Sequence, residues 1–138
     1  MLDYLQTSVA AHRRLAAALP NDSQAKMQIL SAELMAASVQ VLTGDLSGAE
    51  KTLQQAKDST PALPDDSLAL TRLRALVLTE LARVYRRRDN LPAAEAEYQL
   101  ALSAYKLLAM ASPEILIIHL EQSRAETELA RTLLLTGK

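Results

Sequence analysis

The chain has 138 residues, of which 49% are apolar and 22% charged, with a formal net charge of −1. It can bury one core, and this balance argues against a disordered chain, a polybasic nucleic-acid binder and an acidic tail. There is no cysteine, so disulfides, thiolate metal sites and cysteine nucleophiles are excluded.

Prolines and turn-forming residues divide the sequence into segments with helical periodicity. In chain order the six segments are about 2–19, 24–43, 45–57, 67–88, 91–110 and 113–136. Pro20 and Gly44 end the first two, and Asp45 or Ser47 caps the third. DSTPALPDDS at 58–67 is the one clear linker, because its two prolines cannot continue a helix. We therefore expect an all-helical protein.

The turns in the second half of the chain have their own signals. Asp89 and Asn90 separate the fourth and fifth segments, and Pro92 stands near the first position of the fifth, where a missing amide is harmless. Ser112-Pro113-Glu114 has a hydroxyl, a proline and an acid in the order that begins a helix. The sixth helix is therefore predicted to begin at 113, and Gly137 to end it.

Two parts of the sequence match at a distance of 45 residues. GDLSGAEKTLQQAK (44–57) aligns with DNLPAAEAEYQLAL (89–102). LARVYRRRDN (81–90) aligns with LARTLLLTGK (129–138) and more loosely with AASVQVLTGD (36–45). Alanines at matching positions let two helix backbones approach closely. Three copies of a helix-turn-helix unit are predicted, the last reaching only its turn.

In these copies the chain resembles the tetratricopeptide repeat family. The family pattern falls on the second copy at Leu78, Leu81, Ala82, Tyr85, Asp89 in place of the usual glycine, Leu91, Ala94, Tyr98 and Ala101. It falls on the first copy at Ala37, Gly44, Ala49, Leu53, Ala56 and Pro61, and on the third at Leu129, Ala130, Leu133 and Gly137. Glu33 and Glu126 stand where the family has a large apolar residue. The period exceeds the usual 34 residues, and such long helices resemble those of MalT-like helical domains of bacterial regulators.

The resemblance implies a right-handed superhelical stack of antiparallel helix hairpins, an α-solenoid of about six helices that forms one domain. Residues 1–19 would be a degenerate helix, 24–57 and 67–110 repeats, and 113–138 the first helix of a further repeat. HEAT-type repeats, whose period is about 40–47 residues, are the alternative fold. Because the ends of a solenoid need a cap or a neighbour, we expect a fragment of a larger protein or a homodimer formed through a terminal helix.

Six arginines are the candidate partner-binding residues. On a helical wheel those of the fourth segment lie opposite its apolar stripe, and Arg131 repeats the place of Arg83. The resemblance implies that this face lines a concave groove for partner peptides, and a guanidinium group suits acidic side chains or a C-terminal carboxylate. The candidates are Arg72, Arg83, Arg86, Arg87, Arg124 and Arg131.

An ordinary solvated helix face is the alternative interpretation of these arginines. Glu80 and Glu128 stand three residues before Arg83 and Arg131, which is the spacing of helical ion pairs worth a few tenths of a kcal/mol. Arg88 points away from the others and is predicted to be a surface residue.

Catalytic and metal-binding motifs are absent from the sequence. His12 and His119 stand on separate helices with no second ligand four residues on, so a packed or surface imidazole is favoured over a metal ligand or a base. The carboxylate pair Glu95 and Glu97 is predicted to lie on a solvated helix face. No enzymatic activity, cofactor or metal is expected.

The predicted function is a non-catalytic scaffold that binds a partner protein or an acidic peptide, as part of a bacterial-type signalling or regulatory protein. The alternative is a homodimerisation or regulatory segment of a kinase or transcription regulator. Nucleic acid is disfavoured by the charge balance, and Tyr85, Tyr98 and Tyr105 are expected to pack rather than to stack on bases. No uncharged run reaches the roughly 18 residues of a membrane span, so we expect a cytoplasmic location.

Overall fold

The computed structural model describes residues 2–18, 23–59 and 68–137. Within these ranges the chain is helical, with no strand, which confirms the all-α prediction. The helices are α1 (Leu2–Ala18), α2 (Ser23–Leu42), α3 (Leu46–Ser59), α4 (Leu68–Arg87), α5 (Leu91–Ala111) and α6 (Leu116–Leu135). Pro20, Pro61 and the rest of the predicted linker from 60 to 67 lie outside the described residues.

The fourth helix lies in the middle of the packing. Each helix contacts its neighbours along the chain, and α4 also packs against α2 and α6. Its two sides belong to different apolar clusters: Leu70, Val77 and Leu81 pack with α2 and α3, whereas Ala75 and Leu78 pack with α5 and α6. Burial of each such leucine contributes about 1.5–3 kcal/mol, so α4 holds both halves of the structure together.

Matching positions in the first two copies are buried to the same extent. Three pairs, each 45 residues apart, have 0% exposure on all members. They are Ala49 and Ala94, Leu53 and Tyr98, and Ala56 and Ala101. The small side chains let α3 approach α2, and α5 approach α4, closely. The repeat found in the sequence is therefore also a repeat of local packing.

The turns repeat a left-handed backbone position. Positive φ angles of 86°, 63° and 79° occur at Gly44, Asp89 and Gly137. The amide of Asp45 donates to the carbonyl of Gln40, and that of Asn90 to the carbonyl of Tyr85, each at 2.8 Å. Bonds of this kind close a Schellman motif, which normally has glycine at the left-handed residue. Aspartate can replace it at a modest cost.

Helix capping agrees with the sequence at α3. The Asp45 carboxylate accepts a hydrogen bond from the amide of Gly48 at 2.9 Å, so Asp45 rather than Ser47 caps this helix. At α5, Asn90 Oδ1 lies 3.4 Å from the amide of Ala93, and a proline stands in the first turn as predicted.

The predicted start of the sixth helix is wrong. Ser112 ends α5, since its amide donates to the carbonyl of Leu108 at 2.9 Å. Pro113 follows in the turn, where a residue that cannot continue a helix is common. Helix α6 begins at Leu116, and its cap residue Ile115 makes no side-chain capping bond. Ser-Pro-Glu is thus the stop signal of one helix rather than the start of the next.

We expect Asp89→Gly to raise the free energy of unfolding by about 0.5–1 kcal/mol, because glycine adopts a φ of 63° without crowding its Cβ. Gly44→Ala should lower it by about 1 kcal/mol. No atom lies within 4 Å of the Cβ that alanine would add there, so that loss reports the backbone alone. Urea unfolding followed by circular dichroism measures both. A destabilised Asp89→Gly would mean that the carboxylate contributes more than its backbone costs.

Candidate functional site

Two carboxylates of α6 meet the arginines of α4. Arg86 Nη1 lies 2.8 Å from Glu128 Oε2, and Arg83 Nε lies 3.4 Å from Glu128 Oε1. About two turns earlier along α6, Arg72 Nε donates to Glu121 Oε1 at 2.8 Å. Glu121 and Glu128 are seven residues apart, so they project from the same side of α6. The order of the pairs along both helices shows that α4 and α6 run in the same direction.

The same two carboxylates accept hydrogen bonds from tyrosines of α5. Tyr98 donates to Glu128 Oε2 at 3.0 Å and Tyr105 donates to Glu121 Oε2 at 3.1 Å. Both rings are buried, with 0% and 1% exposure, which confirms that they are packing residues. Each acid therefore joins three helices. We name this set the carboxylate ladder: Arg72, Arg83, Arg86, Tyr98, Tyr105, Glu121 and Glu128.

The charges in the ladder support one another. Burial alone would raise the pKa of Glu128, but the hydrogen bond from Tyr98 and the positive charges of Arg83 and Arg86 outweigh it, so its pKa is lowered. Burial, followed by the neighbouring carboxylate, raises the pKa of Tyr98 and of Tyr105. Near neutral pH the acids are thus ionised acceptors and the phenols are neutral donors.

The six predicted partner-binding arginines separate into two groups. The first group is half-buried and belongs to the ladder, with side-chain exposures of 39%, 26% and 25% for Arg72, Arg83 and Arg86. The second group is exposed and makes no ion pair with any residue in the described ranges. It consists of Arg87, Arg124 and Arg131. Residues that look equivalent on a helical wheel therefore differ in their availability to a partner.

One of the two helical ion pairs suggested by spacing is present. Glu80 pairs with Arg83 within α4. Glu128 does not pair with Arg131; it reaches across to Arg83 and Arg86 instead. The reason is that the half-buried side of α6 carries Glu128, whereas Arg131 lies on its exposed side.

Of two predictions about surface charges, the one for Arg88 is confirmed and the one for Glu97 is wrong. Arg88 is exposed and, directly after α4, forms an ion pair with Glu50 of α3. Glu97 is buried, and its Oε1 lies 2.7 Å from Lys57 Nζ, which joins α5 to α3. Glu95 and Glu97 are two positions apart and so cannot share one helix face, a signal that was visible in the sequence.

The hydroxyls of Tyr98 and Tyr105, together with Glu121, were missed by sequence reasoning. A signal for them exists: the tyrosines are seven residues apart on α5, and the acids are seven residues apart on α6. Consecutive helices joined by a short turn run antiparallel. Tyr105 and Glu121, which are nearer the turn between α5 and α6, therefore form one pair, and Tyr98 and Glu128, which are farther from it, form the other.

The side chain of His119 contacts the turn between α5 and α6, where its Nε2 lies 2.7 Å from the carbonyl oxygen of Pro113. The side chain of His12 lies outside the described part of the molecule.

Among the described residues there is no group of three His, Asp or Glu side chains able to hold a metal ion. None of the helices in those ranges combines the length and apolarity needed to cross a membrane.

Comparison with known proteins gives a likeness in fold. No protein-family model and no curated protein matches the chain. The crystal structure of BtubC (BKLC) from P. vanneervenii aligns with a TM-score of 0.58 and 21% identity, over 96% of this chain and 55% of that one. The chain thus spans about half the length of BtubC. At this identity the likeness concerns the helical fold alone.

We expect the ladder to make stability depend on pH. Because the pKa of Glu128 is lowered in the folded chain, its contribution is present above the unfolded value of about 4.3 and is lost as the pH falls through the folded value. Glu128→Gln should therefore cost about 1–2 kcal/mol near neutral pH, and the difference from wild type should shrink below about pH 4.

Urea unfolding over a pH series measures this difference, with Glu126→Gln as the control because Glu126 is exposed on the same helix. The control should follow wild type at every pH. A constant gap between Glu128→Gln and wild type across the series would show that the ionised carboxylate is not what stabilises the ladder.

A pair of alanine variants distinguishes the two groups of arginines. Arg86→Ala leaves the carboxylate of Glu128 with fewer donors, and we expect a loss of about 1 kcal/mol in the free energy of unfolding. Arg131→Ala removes an exposed, unpaired side chain from a helix, so the change should stay within about 0.5 kcal/mol. Equal losses in the two variants, measured by chemical denaturation, would contradict the separation.

Proposed function

We propose that the chain is a non-catalytic protein-interaction module of the tetratricopeptide type, in which successive hairpins stack as a right-handed superhelical row. The observation that carries the proposal is that α4 packs against α2 and α6 in addition to its neighbours along the chain. First helices of consecutive hairpins stand side by side in such a row. The buried alanines and the left-handed turn residues that recur with the repeat support it further.

The proposed binding surface is the exposed side of the first helices, α2, α4 and α6. Leu42 and Arg87 are 45 residues apart, and Leu42 is 86% exposed. On α6 the corresponding side has Arg124 and Arg131. Apolar and cationic groups that are both free suit an acidic peptide or domain with an apolar anchor. We define Leu42, Arg87, Arg124 and Arg131 as the first-helix surface.

Binding of nucleic acid is a weaker explanation for these arginines. Three of the six arginines form ion pairs with the carboxylates of the ladder, and the formal net charge of the chain is −1. A nucleic-acid interface needs a continuous basic patch that neutralises several phosphates. The remaining free arginines suit a few carboxylates of a protein ligand better.

Self-association is the second candidate function, and the outer side of α5 favours it. Leu100, Leu107 and Met110 are 44%, 65% and 80% exposed. The matching side of α3 is polar, since Gln55 corresponds to Leu100 in the repeat. Exposed apolar groups clustered on one side of a helix are typical of an interaction site. A regulatory segment that pairs its protein into a dimer would use such a surface.

The proposed function is tested with the double variant Leu42→Gln, Arg87→Glu, which alters the first-helix surface on α2 and α4 only. Proteins from a lysate of the source organism that bind the immobilised wild-type chain should be lost from this variant. They should be retained by Lys51→Glu, a single charge reversal on the exposed side of α3. Circular dichroism confirms that helicity is kept. Recovery of the same proteins by all three chains would contradict the proposal.

A further inference from the structure

The sixth helix repeats the fourth at a distance of 48 residues. The left-handed turn residues Asp89 and Gly137 have this spacing. Three buried residues of α4 also have buried counterparts on α6. The pairs are Leu70 and Ile118, Val77 and Ala125, and Val84 and Thr132. Residues 48 positions apart on α4 and α6 therefore have the same orientation relative to the buried face of their own helix.

On α4 the side next to α6 holds the arginines of the ladder. The positions 48 residues after Arg72, Arg83 and Arg86 are occupied by Leu120, Arg131 and Leu134. These three residues are exposed, with 56% for Leu120 and 77% for Leu134. The side of α6 that corresponds to a helix-packing side of α4 is therefore open.

The open side of α6 has the spacing of a helix-packing seam. Exposed residues follow one another at alternating intervals of four and three, as in a coiled coil. We name them the α6 stripe: Leu116, Leu120, Ser123, Thr127, Ala130 and Leu134. Small residues in its middle permit close approach of a second helix, and leucines at both ends supply apolar area.

One edge of the α6 stripe is cationic. Arg124 and Arg131 are seven residues apart, about 10.5 Å along the helix axis. Neither makes an ion pair within the described ranges, whereas on α4 the ladder arginines receive Glu121 and Glu128, which are also seven residues apart. Helix α6 thus offers two exposed arginine donors seven residues apart, a spacing that two carboxylates seven residues apart on a neighbouring helix would match.

We infer that the α6 stripe binds an acidic amphipathic helix of a partner protein, running parallel to α6. Its apolar residues would cover Leu120 and Leu134, and two carboxylates seven residues apart would meet Arg124 and Arg131. Charge complementarity selects this ligand, because the open edge has two unpaired guanidinium groups. The inference rests on the proposed function and assigns its ligand class and its main contact helix.

A second copy of the chain fits the α6 stripe less well. In an antiparallel pairing of two stripes, the arginine edge of one copy would face the arginine edge of the other, which is repulsive. In a parallel pairing the opposite edge supplies one acid, Glu126, against two arginines, together with His119. The electrostatic mismatch favours a partner richer in acid than α6.

The probe is a fluorescein-labelled helical peptide with leucines at alternating intervals of four and three and two glutamates seven residues apart on one edge. Fluorescence anisotropy should show that it binds the wild-type chain, and that added salt weakens it. Two matched peptides serve as controls: one has lysine in place of both glutamates, and the other has the glutamates five residues apart. Both should bind at least about tenfold more weakly.

The corresponding protein variant is Arg124→Glu, Arg131→Glu. It should lose the glutamate peptide by about tenfold or more and gain the lysine peptide, since each charge pair is reversed. The control is Arg14→Glu, Lys51→Glu, which makes the same charge change at exposed residues of α1 and α3. It should bind both peptides as wild type does.

Orientation is tested with single cysteines, which are unique because the chain has none. A peptide with a C-terminal cysteine should form a disulfide with Leu134→Cys and not with Leu116→Cys, since a parallel helix ends near the end of α6. Crosslinking to Leu116→Cys instead would overturn the parallel arrangement.

The inference is overturned if the two arginine reversals leave binding of the glutamate peptide unchanged, or if sedimentation equilibrium shows a dimer that Leu120→Asp dissociates. The second result would assign the α6 stripe to another copy of the chain. Failure of the inference and failure of the proposed function differ in outcome. If natural partners are lost with Leu42→Gln, Arg87→Glu but retained with Arg124→Glu, Arg131→Glu, the function stands and the α6 ligand does not.

Discussion

Two glutamates of α6, each surrounded by an arginine of α4 and a tyrosine of α5, decide how the last three helices fit together. A half-buried carboxylate is costly unless charge and hydrogen bonds compensate it. Glu128 receives both, from Arg86 at 2.8 Å and from Tyr98 at 3.0 Å. Because one residue along a helix corresponds to a rotation of about 100°, a shift of α6 by a single residue would remove these partners. The ladder therefore determines which side of α6 faces the core and which side remains exposed.

The ladder also divides the arginines by function. Before packing is considered, Arg83 and Arg131 hold the same place in two copies of the repeat, and either could face a ligand. In the folded chain Arg83 lies between Glu80 and Glu128, whereas Arg131 is exposed. The difference arises because α4 has α6 as a parallel neighbour on this side, whereas on the corresponding side of α6 no further helix packs within the described residues. Position among the packed helices, rather than residue type, separates an arginine held in an ion pair from one that is exposed.

The exposed apolar residues of α6 are explained by the same difference between α4 and α6. Leu120 and Leu134 stand where α4 has Arg72 and Arg86, and they are exposed because no further helix in the described ranges packs there. Exposed apolar residues at helix-packing intervals, next to unpaired cations, suit an amphipathic acidic helix better than open solvent. The proposed protein-binding function and the proposed ligand of the α6 stripe thus rest on a single structural cause, the repetition of one helix-packing face along the chain.

From the sequence alone, the six helices, a cap at Asp45 or Ser47, the turn at Asp89 and Asn90 and the close-packed alanines such as Ala49 and Ala94 could be predicted. These features depend on local backbone preferences and on periodicity, both of which are written in neighbouring residues. The sequence also misled at Ser112, where the same three residue types can end one helix or begin another. Only the tertiary structure decided the partners of Glu121, Glu128 and Glu97, because each lies on a different helix from its partner. Charge pairing across helices depends on register and distance in three dimensions; the seven-residue spacings of the tyrosines and of the acids are compatible with the observed pairs but do not determine them.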